Sequence, residues 1–373
     1  MPDLKKIIVQ NFRNIELQEI EFSPNVNCIS GGNGEGKTNL LDAIYYLSMT
    51  KSAFGSADSY NIRYGSDSFA ISGSYDMPDS LGRDSVIRFS VQVTGSEKKV
   101  KKEDKLYTKI SEHIGVLPIV MVSPSDSSLV SESGEERRKF ANAVLSQIDR
   151  EYLVALQQYN RILLQRNKAL KSGVTDESLL STYDSEMSVL AKPVFEKRQR
   201  FATQLQPIIS QYYEMISGGK ETVGIEYRSD ISEGVELSEI FRQRRSRDEA
   251  LKYTTAGIQR DDFIFSMNGE PIRRCGSQGQ QKSFLVALKF AQYEIMKDRY
   301  HYAPILLLDD LFDKLDINRV QNLLTMVAGS GFGQIFLTDC DTKRVKGIVD
   351  GITADSACFE AEGGTFRRID GKE

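Results

Sequence analysis

Apolar and polar positions alternate through the start of the chain. Lys6-Ile7-Ile8-Val9-Gln10 and Glu16-Leu17-Gln18-Glu19-Ile20-Glu21-Phe22 read as strands flanking Asn11-Phe12-Arg13-Asn14. Val26-Asn27-Cys28-Ile29-Ser30 is a short, continuously buried type of strand, and the apolar residues of 39–47 return at helical spacing. Alternation resumes over 69–75 and 86–93 as antiparallel strands, with a lysine-rich hairpin tip at 98–105, and 118–122 reads as another short buried strand. The period then changes. Ser133 and Glu136 form a capping-box signature, and Phe140, Val144, Ile148, Tyr152, Leu156, Tyr159 and Leu163 follow at steps of three or four. The spacing predicts one long helix to about residue 173. A second helical stretch from Leu179 to Met215 stops at Gly218-Gly219, with Pro193 and Pro207 expected to kink or divide it. Residues 221–227 return to strand, and 357–369 read as a closing hairpin. The pattern divides the chain into 1–124, a helical insertion over 125–218, and 219–373.

The glycine-rich turn between the third strand and the first helix is the strongest chemical signal. Gly31-Gly32-Asn33-Gly34-Glu35-Gly36-Lys37-Thr38 fits G-x-x-x-x-G-K-[ST], in the strand–loop–helix setting that a phosphate-binding P-loop needs. The glycines let backbone N–H groups converge on phosphate oxygens, and the helix N-terminus adds partial positive charge. Lys37 supplies a cation for the β and γ phosphates, Thr38 a hydroxyl for Mg²⁺, and Asn39 opens the helix behind them.

Composition narrows the choices. The chain has 373 residues, enough for two domains, and a formal net charge of −4. That balance argues against a protein coating nucleic acid with its whole surface, yet leaves room for a basic face. The basic clusters are Lys98, Lys99, Lys101, Lys102 and Lys105; Arg137, Arg138 and Lys139; Arg242, Arg244, Arg245 and Arg247; and Arg273 with Arg274. Each taken alone reads as a solvated face. No run of about twenty apolar residues and no signal-peptide core is present, so a cytoplasmic protein is expected. Four scattered cysteines suggest neither a disulfide framework nor a zinc knuckle, and two histidines leave no room for histidine triads.

Two further motifs join the P-loop. Pro304-Ile305-Leu306-Leu307-Leu308-Asp309-Asp310 is an apolar strand delivering two carboxylates, with Asp309 placed for Mg²⁺. Ser277-Gln278-Gly279-Gln280-Gln281 precedes a helix and offers a hydroxyl and amides at its N-terminus. It resembles the L-S-G-G-Q signature of ABC-type ATPases, keeping Ser277, Gly279 and Gln280. In such ATPases this loop completes the opposing subunit's site, and Asp310 stands where a glutamate polarises the attacking water. Asp313-Lys314-Leu315-Asp316 fits their D-loop. The switch histidine is absent, leaving Thr338 or Asp339 to sense the γ-phosphate.

Longer motifs point to one branch. Asn11-Phe12-Arg13-Asn14, the 123–130 segment, Arg137-Arg138-Lys139-Phe140, the 159–167 segment, Gly257-Ile258-Gln259-Arg260-Asp261-Asp262 and Gly276-Ser277-Gln278-Gly279-Gln280-Gln281-Lys282-Ser283 occur in the order of the RecF family, ATPases related to SMC and Rad50 heads. Ser125, Ile258 and Gln259 depart from the family pattern. The resemblance covers essentially the whole chain. It implies an α/β fold, an ABC-type ATPase head with a mixed P-loop sheet, antiparallel strands and an inserted helical lobe. It also implies ATP and Mg²⁺ as cofactors, with Arg13 near the nucleotide, Lys37 and Asp310 catalytic, and Asp309 and Thr38 on the metal. Further implications are ATP-driven homodimerisation, slow DNA-stimulated hydrolysis and DNA binding. The family also works with RecR, and with RecO and RecA downstream, at gapped or damaged DNA during repair and the SOS response. Lys98, Lys99, Lys101, Lys102, Arg137 and Arg138 are the expected DNA contacts. A transporter subunit would carry the switch histidine, an SMC-like structural head would carry hundreds of coiled-coil residues, and a fused nuclease would need an acidic metal cluster beyond Asp309-Asp310; the other aspartate pair, Asp261-Asp262, is expected from the family match to be structural.

Overall fold

The computed structural model describes every residue except 1, 56, 79–81, 174–175, 233–234, 312–318, 320–321, 324–330, 341–355 and 370–373. The D-loop motif at 313–316 lies outside the described residues. The chain forms two compact units, one of Met1–Asp126 with Lys289–Glu373, the other of Ser127–Leu288. Residues 219–288, expected with the ATPase half, thus belong to the same unit as the helical insertion.

The first unit holds two sheets. β1 (Asp3–Phe12), β2 (Ile15–Glu21), β4 (Ser68–Pro78), β5 (Asp84–Thr94), β6 (Glu97–Lys102) and β7 (Lys105–Leu106) form an antiparallel sheet in the order β2-β1-β4-β5-β6-β7. The other sheet runs β15-β14-β3-β13-β12-β8. In it β3 (Val26–Ser30), β8 (Ile119–Val122), β12 (Ile305–Leu308), β13 (Ile335–Asp339) and β14 (Ser356–Glu362) are parallel, and β15 (Thr365–Arg368) is antiparallel. The continuous apolar runs of β8 and β12, and β13 with its terminal Thr338-Asp339, are buried at every position, as a parallel sheet covered on both faces requires. Helix α1 (Lys37–Met49) buries Leu40, Leu41, Ile44, Tyr46 and Leu47. Tyr46 meets Phe12 and Phe69 edge-on, at centroid distances of 6.0 and 5.2 Å, tying α1 to the antiparallel sheet.

The second unit is mostly helical: α2 (Ser128–Ser131), α3 (Gly134–Ile148), α4 (Arg150–Lys171), α5 (Glu177–Ser217), α6 (Leu237–Leu251) and α7 (Ile272–Cys275). Its sheet is β9 (Val223–Arg228), β10 (Asp262–Met267) and β11 (Glu270–Pro271), ordered β11-β10-β9. α8 (Gln278–Tyr300) carries residues of both units.

Three local expectations are corrected. The expected single helix breaks at Asp149, whose extended backbone (φ −142°) ends α3 and whose carboxylate caps α4 by accepting from Tyr152 N at 2.9 Å. Pro193 and Pro207 do not divide α5, which runs 41 residues through both. Each proline removes one internal bond, and the apolar stripe from Leu180 to Ile216 keeps the helix whole by tertiary packing. Finally, the lysines of 98–102 lie along strand β6, and the turn between β6 and β7 is the acidic pair Glu103-Asp104, with φ of 48° and 63°.

Candidate active site

The parallel order β3-β13-β12 brings three strand ends side by side, and the chemistry stands beyond their carboxyl ends. The P-loop follows β3, Asp309 and Asp310 follow β12, and Asp339 closes β13. A cavity of about 160 Å³ there is lined by residues of the P-loop, Asp309, Asp310, Thr338 and Cys340.

The P-loop backbone is fixed by its glycines and by the last hairpin. Gly31 has φ 147°, and a Cβ there would lie 2.5 Å from Ala361 O in β14. Gly36, the α1 N-cap residue, has φ 106°, and a Cβ would lie 2.8 Å from the Asn14 amide. Gly364 N donates to Glu35 O at 2.9 Å, and Gly363 N donates to the Glu35 carboxylate. The β14–β15 turn therefore braces the loop. Lys37 is 8% exposed, and its Nζ donates to Gly31 O at 2.6 Å and to Gly32 O at 2.7 Å. The ammonium is thus held back against the loop's own carbonyls.

A chain of hydroxyls and carboxylates runs beside it. Thr38 Oγ1 donates to the Asp309 carboxylate at 2.9 Å. Thr338 Oγ1 donates to Asp309 Oδ1 at 2.8 Å and accepts from Asp310 N at 3.1 Å. Burial pushes the Asp309 carboxyl above its usual range, against the pull of the two threonine hydrogen bonds. Asp310 has φ 46°, a left-handed conformation uncommon for a residue with a side chain, and Thr338 is the partner that fixes its amide. Of the two switch candidates, Thr338 is in this network and lines the cavity; Asp339 is the buried last residue of β13, paired in register with Ser30.

Arg13 stands on a shelf beside α1. Its guanidinium pairs with buried Asp42 at 2.7 Å and donates to Asn39 Oδ1 at 3.1 Å, while Asn39 Nδ2 donates to Asn14 Oδ1 at 2.7 Å. Arg13 and Asn39 are therefore coupled. Sequence reasoning missed two residues here. Asn14 wedges against Gly36, and its place at the end of the Asn11-Phe12-Arg13-Asn14 run was its only signal. Cys340 Sγ lies 2.8 Å from Asn33 Oδ1 and 3.6 Å from Lys37 Nζ, and nothing in the spacing marks it.

The Ser277 loop is in the second unit. Ser277 N donates to Gln280 Oε1 at 2.8 Å, and Gln280 N donates to Ser277 Oγ at 3.3 Å, a reciprocal capping box at the start of α8. Gln280 Nε2 also donates to Glu221 Oε1 at 2.7 Å. Ser277 is exposed and Gly279 half-buried.

The expected DNA contacts are mostly tied down. Lys98 pairs with Asp58 at 2.8 Å and donates to Thr50 O at 2.7 Å, and Lys99 pairs with Glu97 at 3.2 Å. Lys102 sits over the Phe89 ring, while Lys101 is half-buried on β6. Arg137 grips Asp262 through two bonds of 2.8 and 2.9 Å, and Arg138 donates to Asp261 O at 2.7 Å. Arg198, 1% exposed, donates to Asp261 Oδ2 at 2.6 Å, to Ile258 O at 2.7 Å and to Tyr152 Oη at 3.1 Å. Arg166, fully buried, pairs with Asp184 and Asp248, each at 2.7 Å. Arg137 and Arg138 tie the 137–140 motif to Asp262 and Asp261 of the 257–262 motif, and Tyr159 Oη joins the 159–167 motif to it by donating to Gln259 Oε1 at 2.5 Å.

Comparisons with known proteins agree with one another. Residues 3–352 match the protein family described as RecF/RecN/SMC N terminal domain. The chain is 44% identical to the DNA replication and repair protein RecF of Parabacteroides distasonis, over 98% of this chain and 99% of that one. It is 42% identical to the protein of the same name from Bacteroides fragilis, over 99% of both. Among solved structures, it is similar to the recombination mediator protein RecF bound to ATP in the RecFOR pathway, with a TM-score of 0.87 and 29% identity, covering 99% and 98% of the two chains. The Smc head domain of Pyrococcus furiosus bound to the C-terminal domain of ScpA shares the fold, with a TM-score of 0.57 at 16% identity, covering 99% and 96%. Among the described residues no helix is long and apolar enough to cross a membrane.

Proposed function

The chain belongs to the RecF family of DNA replication and repair proteins, and from that membership we propose that it is an ATP-dependent DNA-binding protein that dimerises on ATP. The observation that carries the reading is the Thr38–Asp309–Thr338–Asp310 chain beside a P-loop whose lysine is already positioned. Lys37 exchanges its two backbone carbonyls for β- and γ-phosphate oxygens. The loop amides and the α1 N-terminus receive the phosphates, and Arg13, through Asn39, sets the first turn of the helix against them.

The donor set of Thr38 and Asp309 is a hydroxyl and a carboxylate, hard oxygens that suit Mg²⁺. Bound there with ATP, the ion supplies charge neutralisation at the phosphates. Asp310 orients the attacking water, and Thr338 positions Asp310 by holding its amide while also anchoring Asp309. Asp310 is one methylene shorter than the glutamate of the wider superfamily, so the water is held more loosely and hydrolysis is slow. DNA stimulates it.

In the dimer, Ser277, Gly279 and Gln280 of one protomer complete the other's site, and the two-fold operation closes the assembly. DNA is held through phosphates, so binding is salt-dependent and weakly sequence-dependent. The biological setting proposed is the cytoplasm, at the nucleoid. There the protein acts with RecR, with RecO and RecA downstream, so that RecA is loaded at gapped or damaged DNA. Light scattering with and without ATP and gapped DNA tests the reading. The expected result is a mass that doubles with ATP; a protein that stays monomeric at saturating ATP would overturn it.

A further inference from the structure

We propose that an arginine-lined cavity in the second unit takes one unpaired nucleotide of a DNA strand, its phosphate against Arg247 and Arg260 and its base against Tyr253. The inference rests on the DNA-binding reading and gives it a site. The cavity measures about 390 Å³, within the roughly 300–1,000 Å³ range of small-ligand sites. It lies between the end of β9, helix α6 and the segment from Tyr253 to Asp262.

Its charges do not balance. Arg244 is neutralised by Asp230, with contacts of 2.9 and 3.1 Å, and also donates to Thr255 O. Arg228 is paired with Glu226 at 2.9 Å. Asp262, the other carboxylate in the lining, is already gripped by Arg137. Arg247 and Arg260 face the same cavity, both exposed, and make no ion pair among the described residues. An anion is the missing partner.

Its shape narrows the anion. The Arg260 guanidinium lies over the Tyr253 ring, 5.3 Å from its centroid, and Tyr253 is 39% exposed. A cation stacked on a partly exposed aromatic ring is a combination that holds a phosphate and offers its base a stacking surface. A concave pocket of one-nucleotide size admits a base only where it is unpaired, because a duplex keeps its bases stacked inside. The basic run 242–247 is thereby resolved: Arg242 pairs with Glu239, Arg244 with Asp230 and Arg245 with Asp184, and Arg247 is the member left for a ligand.

The test is fluorescence anisotropy with a labelled oligothymidylate, with a blunt duplex and with a gapped duplex, on the parent and on Arg247→Glu/Arg260→Glu. Thermal melting of both proteins checks the fold. The expected result is about a tenfold or greater loss on single-stranded and gapped DNA, with the blunt duplex changed less than about twofold. The single-strand salt slope should flatten by about 0.7, which is the one phosphate held between the two arginines. Tyr253→Leu should weaken the same two probes, and Tyr253→Phe should restore them. Equal losses on all three probes, no loss on any, or displacement of oligothymidylate by polyglutamate as readily as by unlabelled strand would overturn the site. A parent protein that binds none of the probes would instead remove the DNA reading on which the site depends.

Discussion

The P-loop and the Ser277 loop are both glycine-containing turns leading into a helix, and both are expected to face phosphate, yet they are built differently. The P-loop is braced by parts remote in sequence. Ala361 and Gly364 of the last hairpin hold its backbone, and Asn14 closes on Gly36. Its lysine is buried against carbonyls that a phosphate can replace. The Ser277 loop instead satisfies itself: Ser277 and Gln280 cap one another at an exposed helix start. The P-loop backbone is preformed and only the Lys37 ammonium exchanges partners, whereas the self-capped loop must open its own backbone hydrogen bond first. In the proposed dimer this difference would let the P-loop take ATP in the monomer and leave the partner's loop to reorganise onto it.

The contrast is tested most severely at Lys37. Lys37→Met removes the ammonium but keeps the stem. ATP affinity should fall by about a thousandfold, ~4 kcal/mol, the order expected for truncating a buried charge partner. Melting temperature should change little, since the brace from β14 and β15 does not involve the side chain. Calorimetry showing parental affinity in a folded Lys37→Met protein would place the nucleotide elsewhere. Next comes Asp310. Asp310→Asn should bind ATP normally, persist as the ATP dimer, and turn over about a hundredfold more slowly, the size expected of a water misplaced by ~1 Å. Single-turnover hydrolysis measures this, and an unchanged rate would strip Asp310 of its role. Ser277→Arg should come third, with ATP affinity within about twofold of the parent while the light-scattering mass in ATP stays monomeric. A normal dimer would show that this loop does not meet the nucleotide.

The same two loops show what was legible. The P-loop, the Asp309-Asp310 strand end and the Ser277 turn are contiguous signals, and each stands on the element its flanks predicted. The strands 6–10, 16–22, 69–75 and 86–93 also lie within or nearly within the observed β1, β2, β4 and β5. What failed were features set by distant partners. Arg137 looked like a free cation because Asp262 is 125 positions away. Lys98 looked like part of a hairpin tip, but it pairs with Val93 in the sheet and its ammonium is held by Asp58 and the Thr50 carbonyl just beyond α1. The break at Asp149 was hidden because the apolar period continues across it, and only the side-chain cap and the Lys197 pair at 2.7 Å reveal a second helix start. Charge and period describe one segment at a time, whereas the state of a buried guanidinium depends on which carboxylate the fold delivers.

The smallest effect discriminates best between a loop that is only a cap and one that is also a ligand. Gln280→Ala removes half of the reciprocal cap and the contact with Glu221. As a plain helix cap it should cost about 1 kcal/mol, read as a modest drop in melting temperature. Gln280→Glu separates the two roles, because glutamate serves the capping box as well as glutamine does. Its melting temperature should stay near the parent's, lowered only by the carboxylate now facing Glu221. ATP-driven dimerisation should nevertheless weaken, because a carboxylate would be brought toward the partner's phosphates, where like charges repel. The repulsion should diminish at high salt if the loop stays partly solvated in the dimer. Dimerisation of Gln280→Glu indistinguishable from the parent at low salt would mean that Gln280 caps α8 and does nothing further.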